Sequence, residues 1–132
     1  MTLSIDERKA VVAYRLQKAQ NAINEARETA KLGYWHTAAN RLYYACFYAV
    51  TALLLKNGLQ ANTHSGVISV LGQNFVNKGI ISKEENRLYG NLFELRHSGD
   101  YDDWKILDEK DVLHYIQPAE DLIKKIETII NK

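Results

Sequence analysis

The chain of 132 residues has a single cysteine, a single proline and a single methionine, and it carries only seven glycines. The lone Cys46 excludes an internal disulfide, and its place inside the apolar stretch Leu42–Leu55 predicts a buried structural thiol, not a nucleophile. With so few breakers, long helices are expected and no interdomain linker is visible. A surplus of either charge is also missing. The 17 basic and 16 acidic side chains leave a net charge of +1, which excludes general attraction to nucleic acid or anionic membranes and leaves room only for a local patch. The most apolar run, Leu42–Leu55, is shorter than the roughly 20 residues a spanning helix needs. Charges are mixed throughout Met1 to Lys18, unlike a signal peptide, so the cytoplasm is the expected compartment and no membrane partner is expected. There is no Gly-x-Gly-x-x-Gly, no P-loop and no Gly-x-Ser-x-Gly. His36, His97 and His114 share no ligand spacing with one another or with a cysteine, so neither a metal nor a cofactor is expected.

What is present reads as helix. From about Asp6 to Leu32, residues Val12, Leu16, Ala19, Ile23, Ala26 and Ala30 alternate steps of four and three, which makes one apolar stripe closed by Gly33. A second helix is expected from Trp35 to Asn57. Its two adjoining apolar faces, one through Leu42, Cys46 and Leu53 and one through Tyr43, Phe47 and Leu54, predict a central position. A shorter helix from His64 to Asn77 follows. Ser82 and Glu85 form a capping box for a fourth helix ending near His97, with Ser98-Gly99-Asp100 as its break. Asp108 and Asp111 open a fifth, running to Ile130 and kinked by Pro118. Period-two alternation is absent. The expected fold is therefore all-α: one domain over residues 1–132, built as an up-down four-helix bundle with an additional short helix.

Two polar clusters are not explained by the needs of a bundle. In the first, Arg41, Tyr44 and Tyr48 fall on one stripe of the second helix, with Thr37 a turn earlier. A guanidinium beside phenols can hold a carboxylate or phosphate by two parallel hydrogen bonds, or it can serve as an interhelical clamp paired to an acid. The second cluster is Arg96-His97-Ser98-Gly99-Asp100-Tyr101-Asp102-Asp103-Trp104. Arg96 follows Glu85, Tyr89 and Leu92 at helical spacing and borders the buried stripe. It reads equally as a cap suited to a helix C-terminus, with Asp100 ordering the turn, or as part of a site. His64, just after Thr63, reads as a residue of a helix start.

These clusters carry a resemblance. Arg41-Leu42-Tyr43-Tyr44-Ala45-Cys46-Phe47 is similar to the Arg-x-Tyr-Tyr-Ala-x-Phe signature of HEPN proteins. Thr63-His64-Ser65-Gly66-Val67 and Leu95-Arg96-x-x-x-Asp100-Tyr101 resemble the same uncharacterised HEPN branch, in order, and the match covers about Gly33 to Ile130. The resemblance implies a four-helix core and a homodimer. It also implies relatives that are RNases, often toxins paired with a minimal nucleotidyltransferase antitoxin. In those nucleases a histidine follows the arginine after four to six residues. Here Tyr101, Asp102 and Asp103 hold those positions.

Topology predicts that Arg41, Tyr44, Arg96, Asp100 and Tyr101 converge at one end of the bundle, with His64 near the other. The leading expectation is a binding or regulatory HEPN protein of a toxin–antitoxin module, engaging RNA or a nucleotide. A divergent RNase would use Arg96 and Tyr101, although a phenol of ordinary pKa near 10 is a weak base at neutral pH. The remaining alternative is a dimeric interaction module without catalysis.

Overall fold

A computed structural model describes residues 3–103 and 105–132; Trp104 of the second cluster lies outside the described residues. Helix α1 spans Ile5–Lys31, α2 Trp35–Lys56, α3 His64–Leu71, α4 Lys83–Tyr101, α5 Glu109–Val112 and α6 Ile116–Ile130, with no strand among the described residues. Helices α1, α2, α4 and α6 make the bundle. The short α3, continued by a wider π turn over Gly72–Val76, is the additional element.

The buried positions of α2 include Leu42, Tyr43, Cys46, Val50 and Leu53, and the helix packs against α1, α4 and α6, as its apolar circumference predicts. Alanines line its contact with α1. Ala38, Ala45, Ala49 and Ala52 on α2 and Ala19, Ala22, Ala26 and Ala30 on α1 are all buried, so the two backbones approach closely. Cys46 is fully buried, and burial pushes its thiol up to about 12, which leaves it inert. Gly33 and Gly58 close α1 and α2 with φ of 76° and 72°, in the left-handed region that a side chain would strain.

Two helix ends differ from the sequence expectation. Helix α4 does not break at Ser98-Gly99-Asp100 but continues to Tyr101. Gly99 is there for space: a Cβ on it would stand 2.8 Å from Leu107 Cδ1 and 3.2 Å from His36 Nδ1. The segment after α4 crosses the helix at this point. Its Leu107 is buried, and the His36 ring pins it by bonding the Gly99 carbonyl through Nδ1 (3.1 Å) and accepting the Leu107 N–H at Nε2 (3.2 Å). The two bonds fix the tautomer with the proton on Nδ1. Further on, the expected kink is resolved as the one-turn α5, a 3-10 turn over Leu113–Tyr115, and α6. Pro118 cannot donate to the carbonyl four residues earlier, and the tighter turn falls there.

The capping box at the start of α4 also ties the bundle together. Glu85 accepts the Ser82 N–H at 2.8 Å and receives Lys125 of α6 at 2.6 Å. Partial burial pushes the Glu85 carboxyl up, but the Lys125 and Ser82 hydrogen bonds outweigh it, and the group sits below its ordinary value. A carboxylate with a depressed folded-state pKa stabilises above the unfolded value of about 4.3 and loses that contribution as pH falls through the folded one. Glu85→Ala should therefore cost about 1–2 kcal/mol in urea unfolding at pH 7. The gap to wild type should narrow below about pH 4.

Candidate arginine–aromatic site

Arg96 is the sole buried charged residue among the described residues, 7% exposed. Because α4 runs on past it, the side chain lies within the helix, not at its terminal cap. Its guanidinium carbon stands 5.3 Å from the Tyr43 ring centroid, 5.5 Å from Tyr44, 6.0 Å from Phe93 and 5.7 Å from Tyr101. A buried cation needs compensation, and here four π faces supply part of it. One carboxylate supplies the rest: Asp100, one turn on, lies 3.5 Å from a terminal nitrogen. The Nε of Arg96 is buried and has no hydrogen-bond partner among the described residues.

Arg41 belongs to the same constellation. Its guanidinium carbon is also 5.5 Å from the Tyr44 centroid, and its Nε and one terminal nitrogen donate to Asn40 Oδ1 at 3.1 and 2.7 Å. Asn40 in turn donates to Asp100 at 3.4 Å, so a polar chain runs Arg41–Asn40–Asp100–Arg96. The structure thus brings together all five residues singled out in the sequence: Arg41, Tyr44, Arg96, Asp100 and Tyr101. Arg41 has its own acid as well, Glu25 at 3.6 Å. Both guanidiniums are therefore paired, which adds weight to a clamp linking α1, α2 and α4. Each carboxylate contact is long and single, however, not the two-pronged fork that a guanidinium can make.

His64 corrects the topological expectation. Instead of lying near the far end of the bundle, its ring packs 5.4 Å from Tyr43, 5.3 Å from Phe47 and 5.6 Å from Phe93, beside the rings that hold Arg96. The cause is the turn after α2. Gly58 reverses the chain, the Leu59 N–H caps back on the Leu54 carbonyl at 2.8 Å, and the chain returns alongside α2. Thr63 then caps α3, its hydroxyl accepting the Gly66 N–H at 2.9 Å. A Cβ on Gly66 would stand 2.9 Å from that hydroxyl, so the Thr-His-Ser-Gly order fits this cap. The cap delivers His64 to a hydrogen bond between its Nδ1 and the Tyr43 hydroxyl.

Tyr89 adds a further link, its buried hydroxyl 3.4 Å from that of Tyr43. Donation from Tyr89 to Tyr43 and from Tyr43 to His64 Nδ1 gives both phenolic protons an acceptor and leaves the imidazole proton on Nε2. Burial holds the Tyr43 phenol above its ordinary range, against the pull of Tyr89 and of the Arg96 charge. Burial also lowers the pKa of His64, and the Arg96 cation lowers it further. His97 stacks on Phe93 at 6.1 Å and lies tilted against Tyr101 at 5.0 Å, at the exposed edge of the same cluster. Asn40 and Tyr43 stand within the first sequence cluster, Asn40-Arg41-Leu42-Tyr43-Tyr44-Ala45, but neither they nor Tyr89 are among the five residues expected to converge. Asn40 stood visibly next to Arg41; the tyrosines read only as core. Among the described residues no group of three or more His, Cys, Asp or Glu could hold a metal ion, and no helix is long and apolar enough to cross a membrane.

An all-α bundle with an arginine boxed by aromatic rings at the α2–α4 contact is the class of protein that emerges. The HEPN domain matches residues 12–130, and the chain belongs to that family. It is 36% identical over 126 residues to a UPF0332 protein of Thermotoga maritima, covering 96% of each chain. A UPF0332 protein of Archaeoglobus fulgidus is 26% identical over 89% of this chain and 94% of its own. A Methanocaldococcus jannaschii protein named "Putative toxin MJ0605" is 33% identical over 74% of this chain and 67% of its own.

The contact between His64 and the arginine box has a measurable consequence. The His64 imidazole should titrate below the ordinary value of about 6.5 in a two-dimensional NMR pH series. In Arg96→Gln the midpoint should rise toward that value, because the neighbouring cation is gone. An unchanged midpoint would show that the charge does not reach the ring.

Proposed function

We propose that this chain is the HEPN component of a toxin–antitoxin-type module and that it binds phosphate groups of RNA or a nucleotide at the Arg41–Tyr44–Arg96 edge. One observation carries the reading. Two guanidiniums converge on the Tyr44 ring, each with a single carboxylate contact, at 3.5 and 3.6 Å, that a phosphate could replace by a fork. Tyr44 and Tyr101 offer faces for base stacking beside those cations. The names of two Methanocaldococcus jannaschii relatives, "Putative toxin MJ0605" and "Putative toxin MJ0142", support the module assignment. Family resemblance adds the partners: a second copy of this chain and a minimal nucleotidyltransferase.

A second reading, a divergent RNase, is favoured by the position of His64. The histidine absent after Arg96 has a counterpart arriving from α3, beside the same rings. In such a reaction the ribose 2′-hydroxyl attacks phosphorus and the 5′ oxygen leaves. Arg96 would steady the phosphorane charge while His64 transfers a proton.

Arg96→Met separates binding from clamping. Asp100, left without its cation, is exposed to water and keeps the Asn40 amide as donor, so it is not stranded as a buried lone charge and this variant should stay folded. It should bind a fluorescent RNA oligonucleotide at least about 10-fold more weakly, given about 1.5–3 kcal/mol per charged hydrogen bond. Equal binding by wild type and variant would leave Arg96 as a clamp alone. In the same experiment, metal-independent cleavage of total RNA by wild type and not by His64→Gln would replace the binding reading with the second one. Light scattering should give a mass of about twice 15.1 kDa, whereas the monomer mass would contradict the dimer.

A further inference from the structure

A second concave surface lies further along α2, toward its C-terminal end. The α1–α2 face and the turn between α2 and α3 enclose a groove of about 530 Å³, within the size range of small-ligand sites. Leu55, Leu59 and Val67 are among its apolar lining. Arg15 and Lys18 stand on the α1 side, and neither meets a carboxylate among the described residues. Arg15 donates to the Thr51 carbonyl at 3.2 Å, which fixes its position without neutralising it. Lys18 Nζ is held 4.5 Å from the Tyr48 centroid and 5.5 Å from Tyr14, whose side chain is exposed. Gln60 and Asn62, also in the lining, have side-chain amides with no partner among the described residues.

We propose that this groove is a nucleotide subsite separate from the Arg96 cluster, holding a phosphate between Arg15 and Lys18 and a base between its apolar floor and the amides of Gln60 and Asn62. Charge selects the phosphate. Two neighbouring cations without counter-charge repel each other, and an anion between them removes that cost. The floor suits a flat ring, and Lys18 and Tyr48 together make a cation–π rim beside it. A carboxamide presents one acceptor and two donors, the complement of a base edge. This assignment does not rest on Arg96, and it stands even where that residue is only a clamp. The same chemistry is offered by a free mononucleotide or by one unit of an RNA strand. Continuity favours the strand: Tyr48 lies 6.0 Å from Tyr44, so an aromatic stripe on α2 leads from this groove to the Arg41–Tyr44 edge.

Calorimetry with AMP, phenyl phosphate and inorganic phosphate, together with anisotropy of a labelled oligoadenylate, tests the proposal. The variants are Lys18→Gln and Asn62→Ala, both at surface positions that should leave the fold intact. Wild type should bind AMP at least about 10-fold more tightly than phenyl phosphate, and Asn62→Ala should erase that preference. Lys18→Gln should weaken both nucleotide probes about 5- to 10-fold and lower the salt slope for the oligomer by about 0.7. AMP binding alone identifies a free nucleotide as the source, and a tighter oligomer identifies the strand. Equal affinity of wild type and Lys18→Gln, equal affinity for AMP and phenyl phosphate, or no binding of any probe overturns the subsite. Comparison with Arg96→Met keeps the two sites apart. Oligomer binding lost there but retained in Lys18→Gln, with AMP affinity also unchanged in Lys18→Gln, removes this subsite and leaves the Arg96 reading, and the reverse result removes only the latter.

Discussion

A guanidinium enclosed at the contact of α2 and α4 sets the terms for the surrounding structure. Burying a full charge costs several kcal/mol unless the surroundings answer it. Asp100 answers through one 3.5 Å contact, and the rings of Tyr43, Tyr44, Phe93 and Tyr101 answer through their faces. Cation–π contacts reach about 2 kcal/mol each when desolvated, so the rings matter as much as the acid. That requirement explains why α2 carries Tyr43-Tyr44 where a plain bundle would carry leucine. The neighbouring hydroxyls then need partners of their own, and Tyr89 and His64 provide them.

The same constraint reaches the end of α4. Asp100 and Tyr101 can serve Arg96 only while the helix continues to them, and α4 does so through Ser98-Gly99. Gly99 makes this compatible with the crossing segment, because only a residue without a Cβ admits Leu107 and His36 at that distance. His36 and Leu107 thus secure the last turn on which two members of the arginine box depend.

Much of this was legible in the sequence, and what was not has a physical reason. Apolar periodicity located the four long helices, and the Ser82–Glu85 and Asp108–Asp111 capping boxes appear as expected. The five polar residues Arg41, Tyr44, Arg96, Asp100 and Tyr101 do converge, since helical phase and short connections leave little freedom in an antiparallel bundle. Gly99 misled because a glycine in a polar run reads as a break, whereas its role depends on Leu107, which arrives from outside the helix. His64 misled for a similar reason. Its place depends on how far the chain folds back after Gly58, a tertiary quantity with no periodic signature. Whether each guanidinium would have its own acid also required coordinates, because Glu25 lies on α1, far from both motifs in sequence.

In the proposed function Arg96, though buried and paired, still presents its edge and its rings to a phosphate-bearing ligand. The most direct measurement is an NMR titration of uniformly ¹⁵N-labelled protein with a short RNA oligonucleotide, following the Arg96 Nε–H and the His64 ring nitrogens. Phosphate binding at this edge should give saturable shifts at both, together with shifts of the Arg41 and Tyr44 signals. Saturation of binding with the Arg96 and His64 signals unmoved would contradict it, and would leave the aromatic box a purely structural device.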